Sequence, residues 1–138
     1  VAKGFASAGL KTAYHNHDFE FETMDDGQTG WDHIFHGGDA QLGAEMDTCW
    51  VAVGKHDPVD EMKKLTGRVP LLHIKDCSDF DAKTLCEVGT GKVDIKAILA
   101  AAEDVGAEYL VVEQDNNWID GDCVKSAKIS FENLKSMF

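Results

Sequence analysis

The chain lacks several features that define large classes of protein. Its 138 residues contain no run of about 18 apolar residues, and no basic segment followed by an apolar stretch opens the chain. The sequence therefore predicts neither a membrane span nor a signal peptide. Its four cysteines, at positions 49, 77, 86 and 123, have no CxxC spacing, so there is no zinc-knuckle pattern and reduced thiols are favoured over disulfides. Together these absences lead us to expect a cytoplasmic protein.

Positive charge is also scarce. The chain has 13 lysine and arginine residues against 25 aspartate and glutamate residues, which gives a formal net charge of −12. Nucleic acids and anionic membrane surfaces both attract basic proteins, so this charge disfavours both partners and favours a small neutral or metal-held ligand. The length and the 43% hydrophobic content are those of a globular protein, and we expect one domain spanning residues 1–138.

Hydrophobic patterns predict strands and helices in alternation. The predicted strands are Lys11–Glu22, Leu42–Met46, Val69–Ile74 and Glu108–Glu113, and the predicted helices are Val1–Ala8, Trp31–Phe35, Asp57–Gly67, Val93–Val105 and Ser126–Phe138. The last two strands are expected to be buried, and a long polar loop is expected over 76–92. Alternation of this kind indicates an α/β fold with parallel strands and right-handed crossovers. In such folds the chemistry lies at the carboxyl ends of the strands.

Residue types that bind metals lie near the ends of all four predicted strands. His15 and His17, two residues apart, share one strand face, and Asp47, His73 and Glu113 lie at or next to the ends of the other three strands. Imidazoles and carboxylates that converge on one point suit a divalent ion such as Mn²⁺, Co²⁺, Mg²⁺, Fe²⁺ or Zn²⁺, with open positions for substrate oxygens. This coincidence of position supports one metal site more strongly than any single motif.

Each of these residues also has a structural interpretation. His15 and His17 could form a hydrogen-bonded pair, Asp47 could cap a turn, and His73 could be a core residue in an apolar run. We favour the metal site because an unpaired carboxylate such as Glu113 at the end of a buried strand is costly.

Several neighbouring residues have two interpretations. Lys75 either assists an oxyanion near the metal or serves only in an ion pair. Trp50 and Trp118 either form an apolar wall for a sugar ring or lie buried under loops. His56 either reaches a substrate hydroxyl or is solvated. The segment Glu87–Gly91 lacks the lysine and the following serine or threonine of a phosphate-binding P-loop, so we interpret it as a turn at the border of the substrate.

The order and spacing of these motifs resemble bacterial sugar phosphate isomerase/epimerase proteins of the xylose-isomerase-like TIM-barrel superfamily. The segments that carry the resemblance are Tyr14–Phe21, Glu45–Trp50, Gly67–Asp76, Glu87–Gly91 and Val111–Asp115, which together span almost the whole chain. The superfamily fold is a (β/α)8 barrel of about 250 residues. Since the segments resemble strands five to eight, the resemblance implies a (β/α)4 half-barrel that is a C-terminal fragment.

The resemblance implies one divalent ion, held by four strand-end residues that are usually Glu, Asp, His and Glu. Asp47, His73 and Glu113 match the last three positions, whereas His15 stands where many relatives carry glutamate. The two-glutamate proton shuttle of ketose 3-epimerases therefore does not carry over, and the His-x-His strand is closer to the inosose dehydratase branch. In the endonuclease IV branch a histidine ligand stands where this chain has Trp50, and the acidic charge also argues against DNA.

We therefore expect a metal-dependent sugar isomerase or epimerase that acts through an enediolate on a keto-sugar or polyol. Glu113 is expected to be the catalytic base, His17 or His15 the second proton carrier, and Lys75 the group that assists the oxyanion. The residues expected to bind substrate are Trp50, His56 and Asp76.

Two alternatives remain, an inosose-dehydratase-like lyase and a non-catalytic metal- or sugar-binding half-barrel. Because a half-barrel leaves sheet edges open, we also expect either a homodimer or association with a missing N-terminal half-barrel.

Overall fold

The computed structural model describes every residue from Val1 to Phe138. Its centre is a parallel sheet of four strands in the order β1-β2-β3-β6, and a two-stranded antiparallel hairpin, β4-β5, follows β3. The strands are β1 (Thr12–His15), β2 (Leu42–Asp47), β3 (Leu71–Ile74), β4 (Asp76–Asp79), β5 (Thr84–Cys86) and β6 (Tyr109–Val112). The predicted α/β fold with parallel strands is confirmed.

One helix, α1 (Ala2–Ser7), precedes β1, and at least one helix follows each strand of the parallel sheet. These later helices are α2 (Gly30–Phe35), α3 (Thr48–Val53), α4 (Pro58–Lys64), α5 (Ile95–Ala102) and α6 (Cys123–Lys135). Side-chain oxygens of Asp47, Asp57, Asp94 and Asp122 accept hydrogen bonds from first-turn N–H groups, which explains where α3 to α6 begin. Even α6, with 13 residues, is too short and polar to cross a membrane, and the same holds for the other helices.

The two faces of the parallel sheet differ in burial. On the face that packs against the helices, Ala44, Met46, Leu72 and Ile74 are completely buried within one cluster of 23 core residues. The opposite face carries Leu71, paired with Tyr109, and His73, paired with Val111. Tyr109 is 63% exposed and Val111 is 39% exposed, so the prediction that the last strand is buried is wrong for this face. β6 is an edge strand whose inner face has no cover.

Two local predictions are also wrong. The first strand ends at His15 rather than at Glu22, and a short 3₁₀ helix spans Phe19–Phe21. The chain turns there because Asn16 directs its side chain to the backbone of Asp47. No helix is predicted between Asp47 and Asp57, yet α3 lies there and begins where Asp47 Oδ1 accepts the N–H groups of Cys49 and Trp50.

The long segment after β3 is organised around one buried carboxylate. Asp76 accepts backbone N–H groups of four residues at 2.8 to 3.1 Å, namely Cys77, Gly89, Gly91 and Val93. A Cβ at Gly91 would lie 2.2 Å from Asp76 Oδ1, so only glycine allows this approach. The role of Asp76 in substrate binding stays a prediction; in the structure its side chain is fully buried and backbone groups occupy both of its oxygens.

The substitution Asp76→Ala should lower the free energy of unfolding by about 3 kcal/mol or more, because several buried N–H groups lose their acceptor at once. The control is Asp94→Ala, which removes a helix cap that accepts one N–H, from Ala97, and should cost about 1 kcal/mol. Urea denaturation followed by circular dichroism measures both values. Equal losses for the two variants would contradict this account of the loop.

Candidate metal centre

Four side chains converge at the carboxyl ends of the parallel strands. Donor atoms of His15, Asp47, His73 and Glu113 all lie within 4.8 Å of one another. Each follows from its strand: His15 ends β1, Asp47 ends β2 opposite His73 of β3, and Glu113 follows β6 directly. The structure thus brings together all four residues that the sequence analysis proposed as ligands.

The donor set suits a divalent ion. His15 Nδ1 and Asp47 Oδ2 are both buried without a hydrogen bond of normal geometry, although Lys75 Nζ lies 2.9 Å from Asp47 Oδ2. Burial, followed by the nearby His73, lowers the pKa of His15, which favours the neutral imidazole that binds metals. Ligands about 2.1 Å from an ion lie roughly 3 to 4 Å apart, a spacing that small side-chain movements could reach here. Two nitrogen and two oxygen donors match Mn²⁺, Co²⁺, Fe²⁺ or Zn²⁺.

Lys75 lies beneath the cluster and is 1% exposed. Its Nζ is 2.9 Å from Asp47 Oδ2, 3.1 Å from Glu113 Oε2 and 2.9 Å from Asp115 Oδ2. Burial alone would lower the pKa of Lys75, but the three carboxylates, Asp47 foremost, raise it well above its usual value. The role of Lys75 in assisting a substrate oxyanion stays a prediction, and in the structure its three N–H donors face three carboxylates.

His73 lies between two carboxylates. Its Nδ1 is 2.5 Å from Glu113 Oε2 and its Nε2 is 2.8 Å from Glu45 Oε1. One of these contacts must give way if His73 binds a metal, because a ligating imidazole uses an unprotonated nitrogen. Burial alone would raise the pKa of Glu113, but the hydrogen bond from His73 and the charge of Lys75 lower it to about 2. Sequence reasoning missed Glu45, although its position two residues before Asp47 places it on the same strand face.

Asn16, a second residue that sequence reasoning missed, clamps the backbone of Asp47. Its Oδ1 accepts the N–H of Asp47 at 3.0 Å, and its Nδ2 donates to the carbonyl oxygen of Asp47 at 3.2 Å. Both residues are fully buried. These two bonds extend the pairing of β1 and β2 by one residue and fix His15 relative to Asp47.

Aromatic rings border one side of the cluster. The exposed ring of His17 lies 5.1 Å from the ring of His15, 5.7 Å from Trp50 and 5.9 Å from Phe19, on which it stacks. Buried Glu20 accepts the backbone N–H of His17 at 2.9 Å and so holds this loop. His17 and Trp50 therefore lie beside the cluster, and their roles in catalysis and substrate binding stay predictions.

Two of the other predicted residues contact groups other than the four proposed ligands. The ring of His56 packs on Phe21, and its Nδ1 lies 3.2 Å from Glu61 Oε1 in α4, and its role in substrate binding stays a prediction. Trp118, in the loop after β6, donates its indole N–H to the carbonyl oxygen of Gln114.

The fold and the position of the cluster together define a class of protein. A curved parallel sheet with a helix after each strand and ligand-type side chains at the carboxyl ends is half of a (β/α)8 barrel. The chain is similar to solved structures of sugar phosphate isomerase/epimerase and xylose-isomerase-like TIM-barrel proteins, as the sequence resemblance predicts.

Two of these structures come from Parabacteroides distasonis. The first, a sugar phosphate isomerase/epimerase, has a TM-score of 0.81 and 22% identity and matches 99% of this chain and 51% of its own. The second has a TM-score of 0.78 and 25% identity, and the match covers 95% of this chain and 48% of that chain. An L-ribulose 3-epimerase has a TM-score of 0.66 and 16% identity over 99% of this chain and 52% of its own.

Sequence comparison with curated proteins matches a smaller part of the chain. No model of a known protein family matches the chain. A probable endonuclease 4 of Mycobacterium bovis is 33% identical over 91 residues, which are 62% of this chain and 35% of that relative. The chain thus spans about a third of the curated relatives that it matches and about half of the similar solved structures.

The substitution Lys75→Met should lower the free energy of unfolding of the metal-free protein by about 3 to 5 kcal/mol, because it leaves buried carboxylates without their cation. Lys83→Met is the matched control, since Lys83 pairs with Asp18 at the surface and should contribute no more than about 1 kcal/mol. Urea denaturation of the two variants tests this difference. A Lys75 variant as stable as the wild type would show that the carboxylates do not depend on this ammonium group.

Proposed function

We propose that this chain carries the divalent-metal site of a sugar isomerase or epimerase that acts on a keto-sugar or polyol through an enediolate. The observation that carries the proposal is the convergence of His15, Asp47, His73 and Glu113 at the carboxyl ends of four parallel strands. The names of the similar solved structures, sugar phosphate isomerase/epimerase and L-ribulose 3-epimerase, support the same class of reaction.

In this proposal His15, Asp47, His73 and Glu113 hold one divalent ion. When bound, the ion supplies Lewis acidity, which makes a proton beside the substrate carbonyl easier to remove. Lys75 orients Asp47 and Glu113 and favours their ionised forms, against the burial that raises the pKa of Asp47. Asn16 fixes the backbone of Asp47. These two residues act through the ligands and do not touch the substrate.

Glu113 is the proposed base. Its pKa of about 2 keeps it ionised at neutral pH, and its side chain is 34% exposed. Its Oε2 faces His73 and Lys75, which leaves Oε1 to accept a proton. His17 is the proposed second proton carrier, because its exposed ring lies next to His15 on the solvent side of the cluster. The ring of Trp50 forms part of the proposed pocket wall.

A dehydratase is the second candidate, and the position of His17 favours it. In that reaction the base removes a proton from the carbon beside the carbonyl, a carbon–oxygen bond breaks, and the hydroxyl leaves as water with a proton from an acid. An exposed imidazole beside the cluster can donate that proton. A metal- or sugar-binding half-barrel without catalysis remains the third candidate.

The open sheet supports a proposal about assembly. Strands β1 and β6 each have a free edge, and Tyr109 and Val111 leave apolar surface exposed on the inner face. Exposed strand edges and apolar faces are normally covered. We propose that either a second copy of the chain or a separate N-terminal half-barrel covers them in the active protein, and that residues 1–138 form one domain of it.

The wild-type chain should bind about one Mn²⁺, and His15→Leu should weaken that binding about tenfold or more, because first-sphere ligands matter at least as much as the residues that orient them. His56→Leu, the same substitution at a histidine that contacts Phe21 and Glu61, should leave Mn²⁺ binding unchanged. Electron paramagnetic resonance of free Mn²⁺ during a titration measures both, with light scattering of the same samples. Equal Mn²⁺ affinity of the wild type and His15→Leu would exclude this ligand set.

The Mn²⁺-loaded protein should exchange a carbon-bound hydrogen of a suitable ketose for deuterium in D₂O, and Glu113→Gln should abolish that exchange because the base is lost. Proton NMR of ketoses incubated with the protein detects the exchange. His33→Leu, the substitution of a histidine that pairs with Asp26 at the surface, serves as the active control. Loss of water from the sugar would favour the dehydratase, and metal binding with neither reaction in any ketose would favour the binding module.

A further inference from the structure

The loops at the carboxyl ends of the strands contain carboxylates where a phosphate ester would need donors. In (β/α)8 barrels, phosphate groups are commonly bound by backbone N–H groups of these loops and by helix N-termini. We propose that the site takes an uncharged polyol or keto-sugar and excludes phosphate esters, because the chain's own carboxylates occupy these donors after all four strands. This inference rests on the proposed function and names the substrate class of the same site.

The loop after β3 has the largest set of such donors. The N–H groups of Gly89, Gly91 and Val93 converge on one point, as they do in loops that bind phosphate. Here Asp76 supplies the anion from within the chain, at 2.9 to 3.1 Å from the three nitrogens. Asp76 is completely buried, so an external anion cannot exchange with it.

The loop after β6 is occupied in the same way. Glu87 Oε1 accepts the N–H of Ile119 at 3.2 Å and the hydroxyl of Ser126 at 2.6 Å. Helix α6 has 13 residues, and its N-terminus would otherwise attract an anion. Asp122 Oδ1 accepts the N–H groups of Val124 and Lys125, both at 3.0 Å, and so fills that position.

Carboxylates also occupy donors after the first two strands. Glu20 Oε2 accepts the N–H of His17 at 2.9 Å in the loop after β1. Asp47 Oδ1 accepts the N–H groups of Cys49 and Trp50, both at 3.0 Å, at the start of α3. In the loop after each strand of the parallel sheet, a carboxylate of the chain therefore accepts backbone N–H groups.

Three lysines of these loops are paired. Lys75 faces three carboxylates, Lys83 lies 2.6 Å from Asp18, and Lys125 pairs with Asp120. Lys55 and Lys92 form no ion pair. Each lies at a cavity that also contains carboxylates, with Asp18 and Glu22 beside Lys55 and Asp76 beside the neighbours of Lys92. Each paired lysine would have to give up a carboxylate before it could bind phosphate.

The single arginine is placed far from the cluster. Arg68 precedes β3, at the opposite end of the sheet, and its guanidinium donates to the carbonyl oxygens of Phe35, Asp39 and Leu42. Arginine is well suited to bidentate phosphate binding, but this one is committed to the backbone.

The partly exposed groups around the cluster fit a neutral sugar. Glu45, Glu113 and Asp115 are partly exposed carboxylates that accept hydrogen bonds from hydroxyl groups. The rings of His17 and Trp50 offer apolar surface to the C–H face of a sugar. A phosphate ester would instead place two further negative charges among these carboxylates, which is unfavourable at short range.

The first test uses inorganic phosphate and needs no metal. Amide signals of Gly89, Gly91, Ile119, Val124 and Lys125 are followed by ¹H–¹⁵N NMR during titration with sodium phosphate and, separately, with sodium chloride at equal ionic strength. The wild type should show no saturable shift that is specific to phosphate. The substitution Asp122→Gly frees the N-terminus of α6 at little cost in stability. In that variant the amide signals of Val124 and Lys125 should show a saturable shift that is specific to phosphate.

Either of two results would overturn the inference. One is a saturable, phosphate-specific shift of these amides in the wild type. The other is an Asp122→Gly variant whose amide signals show no phosphate-specific shift. In that case the carboxylate of Asp122 would not be the group that prevents phosphate binding.

The second test compares D-fructose with D-fructose 6-phosphate on the Mn²⁺-loaded chain by isothermal titration calorimetry. The phosphate ester should bind about tenfold or more weakly than the free sugar, a difference of about 1.4 kcal/mol. Tighter binding of the ester would overturn the inference and leave the proposed function standing. A chain that binds no Mn²⁺ would instead contradict the proposed function, and the metal-free phosphate titration would still decide the inference.

Discussion

The arrangement of the strand ends depends on one buried ammonium group. Lys75 Nζ lies within 3.1 Å of carboxylate oxygens from β2 and from the segment after β6. Without that cation, Asp47 and Glu113 would repel each other in a buried site. The ammonium group therefore brings two proposed ligands to nearly the right separation before any metal is present. A divalent ion would find the site largely preorganised, at the expense of the contacts of His73 with Glu45 or Glu113.

A second constraint is the supply of hydrogen-bond acceptors for loop backbones. Of the 25 acidic residues, Glu20, Asp47, Asp76, Glu87 and Asp122 all accept backbone N–H groups in the loops around the cluster. The net charge of −12 thus reflects more than a solvated surface, because part of it orders the loops from within the chain. These carboxylates also make the edge of the site acidic. The acidic composition of the chain is therefore connected with the proposed preference for an uncharged substrate.

Much of the fold and the ligand set could be predicted because each proposed ligand ends or directly follows a strand. The alternation of strands and helices predicted a parallel sheet, and a parallel sheet has the carboxyl ends of all its strands at one edge. The direction of side chains was harder to predict. Lys75 and Asp76 follow His73 within three residues, yet the side chain of Lys75 lies beneath the cluster, whereas Asp76 is the first residue of the hairpin β4-β5. The role of Asn16 was not predicted because its side chain binds the backbone of Asp47, 31 residues away, and no local pattern shows such a contact.

Metal binding at the proposed site does not depend on closure of the barrel. Donor atoms of His15 and Glu113, at the ends of the two outer strands, lie within 4.8 Å of one another, and all four proposed ligands come from this chain. At the opposite end of the sheet, Lys11 Nζ lies 2.5 Å from Glu108 Oε1, so side chains beside the two outer strands meet there as well. The exposed ring of Tyr109 on the inner face, by contrast, needs a partner to cover it. The proposed metal binding can therefore precede closure of the barrel, and loss of the partner need not abolish it.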